Sequence, residues 1–212
     1  EQSKMAEPAG ADVLSIITPS FAAASQEELY AHYKAVAEAV DMPIVLYNIP
    51  ARTGNALAPA TVGRLAQIEN IIGAKDSSGN FANILNYINA GNKKENGKFY
   101  TLSGNDQLII WTLLAGGTGG IAGCANVYPH TMASIYNLFM EGKIEEAKAA
   151  NASIQSFRDC FKYGNPNTIV KTAVRLLGYE VGPCRAPFNQ VPEEGIKALK
   201  KVLAENKAKG MH

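Results

Sequence analysis

The sequence predicts a parallel α/β protein that finishes as a bundle of helices, and three features of its 212 residues lead there. Five short, mostly apolar runs recur up to Gly123, helical patterns fill the intervals between them, and beyond Gly123 only helical patterns follow. Strands that alternate with helices imply right-handed crossovers and a parallel sheet.

The runs are "VLSII" (Val13 to Ile17), "PIVLYN" (Pro43 to Asn48), "IIGAK" (Ile71 to Lys75), "FYTLS" (Phe99 to Ser103) and "GGIAG" (Gly119 to Gly123). The first three are rich in β-branched residues, so they read as strands buried on both faces. Ser25 with Glu28 three residues on is a capping box. It opens a helix whose Leu29, Tyr33, Val36, Ala37 and Val40 share one face. Pro59 to Gln67, Asn80 to Asn89 and Asp106 to Ala115 continue the alternation. The closing helices are expected at His130 to Met140, Ile144 to Phe161, Pro166 to Leu177 and Glu193 to Asn206. Two regions follow, a strand-and-helix part over 1–127 and a helical part over 128–212.

Composition removes several functions. Twenty basic and 19 acidic side chains nearly balance, which gives no electrostatic reason to expect nucleic acid or an anionic membrane as partner. Cys124, Cys160 and Cys184 are widely spaced and include no CxxC pair, so neither a disulfide framework nor a zinc site is expected. No apolar signal core or membrane span is legible, and a soluble protein of the cytoplasm is the expectation. Neither GxGxxG after a strand nor GxxxxGK[ST] is present. "AGGTGGIAG" (Ala115 to Gly123) precedes and occupies a strand instead of leaving one, so it reads as a tight turn with close backbone packing.

Side chains at the carboxyl ends of parallel strands share one mouth, where barrel enzymes keep their chemistry. Thr18, Tyr47, Lys75 and Ser103 stand there, with Asn126 nearby. Lys75 follows "IIGA", a run too apolar to want a charge, and a desolvated lysine is more easily a free amine that adds to a ketone. The plain alternative is a lysine that snorkels to solvent from a strand end. For Tyr47 the alternative is a packed ring with a wet hydroxyl. Equivalent positions on successive strands favour the chemical reading of the pair.

"YNIPARTG" followed by the lysine of "IIGAKDSSGN" resembles the paired signatures of the dihydrodipicolinate synthase and N-acetylneuraminate lyase family of class I aldolases. "TPSF", "SGND", "GGIAGCAN" and "NPNTIVKTAVRLLG" extend the resemblance over nearly the whole chain. It implies a (β/α)8 TIM barrel of which strands 4 to 8 and the C-terminal helices are present, with 128–212 packing on a partial barrel of residues 1–127. It also implies no metal or other cofactor, a homo-oligomer, and pyruvate or another 2-oxo acid bound covalently. By the same resemblance Lys75 is the Schiff-base residue, Tyr47 the proton relay and Arg52 the binder of a substrate carboxylate. Arg52 has a plain alternative, an ion pair within the turn. Thr18, Gly120 and Ile121 complete the expected substrate contacts, the glycine-rich strand lining the mouth with backbone.

Two departures from the family pattern stand out. Many synthases carry two consecutive tyrosines after Thr-Pro, where this chain has Ser20 and Phe21. "PCRAPF" leans toward the lyase branch, whereas Arg52 leans toward the synthases. A whole barrel takes about 250 residues, and "EQSKMAEPAGAD" reads as the tail of a helix preceding the fourth strand, so a family member lacking its N-terminal portion is expected. The sequence thus supports a Schiff-base lyase or synthase closest to 4-hydroxy-tetrahydrodipicolinate synthase, with N-acetylneuraminate lyase or a 2-keto-3-deoxy sugar acid aldolase as the alternative. An inactive fragment that oligomerises or binds ligands is a second class, and a flavodoxin-like binder a third.

Overall fold

Five strands form one sheet in the computed structural model, which describes residues 1–212: β1 (Leu14–Ile17), β2 (Ile44–Asn48), β3 (Ile71–Asp76), β4 (Tyr100–Ser103) and β5 (Gly119–Gly120). Their order is sequential and every pair is parallel, as the alternation of patterns requires. One row of register partners runs Ile17, Tyr47, Lys75, Leu102, Gly119, and the next runs Asn48, Asp76, Ser103, Gly120. Because side chains alternate along a strand, the two rows face opposite sides.

Burial distinguishes those sides. Leu14, Ile44, Leu46, Ile71, Ala74 and Asp76 lie on the side the helices cover and are buried. On the other side Ile17 is 44% and Tyr100 40% exposed. Val45 and Gly73 on that same side are buried, so the expectation of burial on both faces holds at the middle of β2 and β3 and fails on the strands beside them. Five strands in an open sheet bring no opposite strand over the second face, which stays accessible around Tyr47 and Lys75.

The chain divides into two compact units, Glu1–Ile121 and Ala122–His212. In the first, α1 (Gln2–Ala6) precedes β1, and α2 (Gln26–Ala37) begins at the expected capping box: the Glu28 N–H donates to the Ser25 hydroxyl at 3.3 Å and the Ser25 N–H to the Glu28 carboxylate at 2.7 Å. Such a cap contributes about 0.5–2 kcal/mol. A one-turn helix, α3 (Pro50–Thr53), was not expected; proline starts it and Gly54, at φ 80°, ends it in the left-handed conformation that glycine adopts at least cost. Then come α4 (Pro59–Leu65), α5 (Phe81–Gly91) and, after a 3₁₀ turn over Asp106–Leu108, α6 (Ile109–Leu114). Leu29, Tyr33, Leu46, Val62, Leu65 and Tyr87 belong to the core cluster between helices and sheet. Each buried phenol keeps a partner: Tyr33 donates to the Ile16 carbonyl at 3.0 Å and Tyr87 to the Leu57 carbonyl at 2.5 Å. Burial raises the pKa of both, so they stay neutral donors. At the other end of the sheet the Lys94 ammonium donates to the carbonyls of Ala66, Ile68 and Ile71 at 2.5, 3.0 and 3.3 Å. It thereby ties the turn after α4 to the start of β3.

The second unit is helical: α7 (Pro129–Met140), α8 (Ile144–Ser153), α9 (Gln155–Arg158), α10 (Pro166–Leu176) and α11 (Glu193–Ala208). The unit boundary lies between Ile121 and Ala122, not between Val127 and Tyr128, because the 3₁₀ turn Gly123–Asn126 packs on α7 and α10. Phe157 centres this unit, edge-on to Tyr128 at 5.5 Å and to Phe161 at 5.6 Å. The single helix expected over Ile144 to Phe161 is three pieces, α8, α9 and a 3₁₀ turn over Asp159–Tyr163. The Ser153 hydroxyl donates back to the Ala150 carbonyl at 2.7 Å just before the first break.

Candidate active site

Two strands that are nearly all apolar end in reactive side chains. Tyr47 and Lys75 are register partners at the carboxyl ends of β2 and β3, both half-buried on the open face. The Lys75 ammonium stands 3.8 Å from the centroid of the Tyr47 ring. Adjacent strands lie about 4.8 Å apart, so register alone brings the pair together, and the attraction of a cation to a π face adds about 0.5–1 kcal/mol at an exposed site. The apolar setting of Lys75 that the sequence suggested is in fact a half-buried one, with the phenol ring as its floor.

Arg52 lies on α3, five residues beyond Tyr47, and is exposed. No ion pair holds it among the described residues. What fixes its helix is Thr18. That residue is 1% exposed and its hydroxyl donates to the Thr53 hydroxyl at 2.8 Å. The Asn55 amide in turn donates to the carbonyls of Pro19 and Ala22 at 2.9 and 2.8 Å and accepts from the Ala24 N–H at 2.8 Å. Thr18 therefore joins the loop after β1 to the turn bearing Arg52.

Gly120 falls in the row of Asn48, Asp76 and Ser103, on the helix-covered side. A Cβ there would come within 2.5 Å of Ile109 Cγ1, so α6 packs directly on its backbone. Ile121 follows the strand, is exposed, and donates its N–H to the Ser103 carbonyl at 2.9 Å. Lys75, Tyr47 and the Arg52 turn share the same strand ends, and Gly120 and Ile121 stand at the far edge of the sheet.

Sequence reasoning passed over three residues. Asp76 is fully buried beside Lys75 and accepts from the amides of Asn48 at 2.6 Å and Asn83 at 3.0 Å and from the Ser78 hydroxyl at 2.6 Å. Asn48 also accepts from the Leu57 N–H at 3.0 Å. Gly104 is the third: its N–H donates to the Asp76 carbonyl at 2.7 Å, and a Cβ on it would lie 1.8 Å from Ser77 Oγ and 2.9 Å from Lys75 Cε. All three lie inside the quoted motifs "YNIPARTG", "IIGAKDSSGN" and "SGND", but a motif does not say which of its residues bond to one another. Gly104→Ala is expected to push Lys75 off the Tyr47 ring and to lower any reaction at that amine by about 10²-fold, the scale of a 1 Å misplacement, while the fold survives. Pre-steady-state rates with circular dichroism as the fold control check this.

No group of three or more His, Cys, Asp or Glu side chains is placed to hold a metal ion, and no helix is long and apolar enough to cross a membrane.

Comparison with known proteins gives a consistent result. A family model described as "Dihydrodipicolinate synthetase family" matches residues 1–206. The 4-hydroxy-tetrahydrodipicolinate synthase of Archaeoglobus fulgidus is 39% identical over 201 residues, which are 95% of this chain and 68% of that one. Its counterpart from Methanothrix thermoacetophila is 37% identical over 206 residues, 97% of this chain and 68% of that one. Among solved structures, the dihydrodipicolinate synthase of Thermotoga maritima superposes with a TM-score of 0.91 at 29% identity, covering 97% of this chain and 70% of that one. The chloride-inhibited enzyme of Acinetobacter baumannii, complexed with pyruvate, gives 0.89 at 33% identity, covering 97% and 69%.

Proposed function

The chain belongs to the dihydrodipicolinate synthetase family, and from that premise we propose that it acts as a Schiff-base synthase in which Lys75 condenses with pyruvate, as in a 4-hydroxy-tetrahydrodipicolinate synthase. The observation that carries the site assignment is the Lys75 ammonium 3.8 Å from the Tyr47 ring, on the accessible face of the sheet. Once deprotonated, the Lys75 nitrogen adds to C2 of pyruvate and water leaves, giving an iminium. The iminium draws electrons from C3, a methyl proton is lost, and the resulting enamine attacks the carbonyl carbon of an aldehyde. A new carbon–carbon bond forms, the aldehyde oxygen takes a proton, and water returns to C2 to free Lys75. Tyr47 is the positioned acid-base group for those proton transfers.

Arg52 suits an aldehyde partner that carries a carboxylate, since a guanidinium grips a carboxylate through two parallel hydrogen bonds. Thr18 serves through the α3 turn, and Gly120 and Ile121 offer backbone at the edge of the mouth. Arg52→Ala is expected to raise KM for the carboxylate-bearing aldehyde by about 10-fold or more, the cost of a charge-assisted hydrogen bond of 1.5–3 kcal/mol, with little change in KM for pyruvate. Steady-state kinetics with each substrate varied separately reads this out.

The five strands take the places of strands 4 to 8 of a (β/α)8 barrel, with α7 to α11 as the helices after it. Their sequential parallel order supports that placement, as does a chain that spans 68% of the length of the Archaeoglobus relative. Self-association and a cytoplasmic location belong to the same reading. The exposed Tyr136 and Met140 on α7 support the first, and the wide spacing of Cys124, Cys160 and Cys184 supports the second.

Incubation with pyruvate and borohydride tests the function. A reduced pyruvyl adduct on Lys75, located by peptide mass mapping, is the expected result; a protein that reacts with neither pyruvate nor another 2-oxo acid overturns the proposal.

A further inference from the structure

Asp76 is a carboxylate with no exposed surface and three neutral donors, one from each of three segments. Asn48 ends β2 directly after Tyr47, Ser78 belongs to the loop after β3, and Asn83 stands in the first turn of α5. Their bonds to Asp76 measure 2.6, 2.6 and 3.0 Å. The backbone repeats the link: the Ser77 N–H donates to the Asn48 carbonyl at 2.8 Å and the Gly104 N–H to the Asp76 carbonyl at 2.7 Å. Asp76 and Asn48 point to the helix-covered side, so neither touches the open face where Tyr47 and Lys75 meet.

We propose that Asp76 is a positioning residue, whose carboxylate clamps the ends of β2 and β3 in register and so holds Lys75 over Tyr47. The proposal rests on the Schiff-base reading for its kinetic consequence, although its geometric content does not. Parallel pairing already aligns the strands along their length, but Tyr47 and Lys75 sit at the last turns of the ladder, where pairing gives way to loops. There a side-chain bond between neighbouring residues sets the angle at which the two strands leave the sheet. The acceptor pattern matters more than the charge. In Asp76→Asn the retained oxygen can accept from both Asn48 and Asn83, and the new amide can donate to the Ser78 hydroxyl, which has a lone pair to spare beyond the one taken by the Asn80 N–H at 3.1 Å. In Asp76→Ala two amides and a hydroxyl lose their acceptor.

The test compares the parent chain with Asp76→Ala, Asp76→Asn and Asn48→Ala, the last cutting the same link from β2 should Asp76→Ala not fold. Two readouts are taken on folded protein: the rate of Lys75 acetylation by acetic anhydride, measured by mass spectrometry against the exposed Lys197 and Lys201 of the same molecule, and the kcat and KM for pyruvate. The expected result is faster relative labelling of Lys75 and a kcat lower by about 10²-fold in the alanine variants, with KM much less affected and Asp76→Asn close to the parent. A folded alanine variant with parental Lys75 labelling overturns the proposal, as does an Asp76→Asn variant as damaged as Asp76→Ala. Absence of a borohydride adduct in the parent chain would instead sink the Schiff-base reading, and the labelling arm still decides the positioning role.

Discussion

Lys75→Ala is expected to abolish borohydride trapping of pyruvate altogether, the largest effect of any single substitution in this chain. Trapping needs an amine with its lone pair available and a ketone held against it. The exposed lysines, such as Lys197 and Lys201, pair with Glu193 and Glu205 on their own helix and have nothing beside them to hold a ketone. Burial lowers the pKa of Lys94, a shift that Glu69 partly offsets. Its nitrogen, however, is turned into the carbonyls of Ala66, Ile68 and Ile71 and has no free approach for a ketone. Loss of the adduct in Lys75→Ala with the fold intact by circular dichroism is the outcome that supports the assignment. An undiminished adduct in that variant would place the chemistry elsewhere.

Tyr47→Phe is expected to separate binding from turnover. Phenylalanine keeps the aromatic face beneath the Lys75 ammonium, which now lies 3.8 Å from the ring centroid, so the amine should stay in place and the iminium should still form and be trapped. What the variant lacks is the hydroxyl to which the proposal assigns the proton transfers, and removal of a positioned acid-base group costs about 10²- to 10⁴-fold in rate. Parallel measurement of adduct yield and steady-state turnover checks both halves. If trapping is lost along with turnover, the ring or its hydroxyl is holding the ketone, and the proton-relay role fails.

The particular residues show why some of this was legible in one dimension. Period, capping and strand composition are local, and they located the five strands within a few residues and placed the start of α2 at Ser25. Tyr47 and Lys75 could be paired because parallel strands bring equivalent ends together, whatever the loops between them do. The extent of helix between Ile144 and Phe161 was not legible, since no glycine or proline marks the break. Nor was the α3 turn, whose four residues are too few to show a period.

By itself, then, the sequence determined the parallel strand order, the meeting of Tyr47 and Lys75 at neighbouring strand ends and the helical ending, because hydrophobic periodicity and strand register follow from nearest neighbours along the chain. Only the tertiary structure decided which face of the sheet is open, that Thr18 bonds to the turn bearing Arg52, that Gly104 has no room for a Cβ beside Lys75, and that a buried Asp76 joins β2 to β3. Each of those depends on the direction of a side chain relative to segments distant in sequence, as with Asn48 and Asp76, 28 positions apart and 2.6 Å across one hydrogen bond. Such directions are fixed by packing once the strands have paired, and packing has no one-dimensional signature.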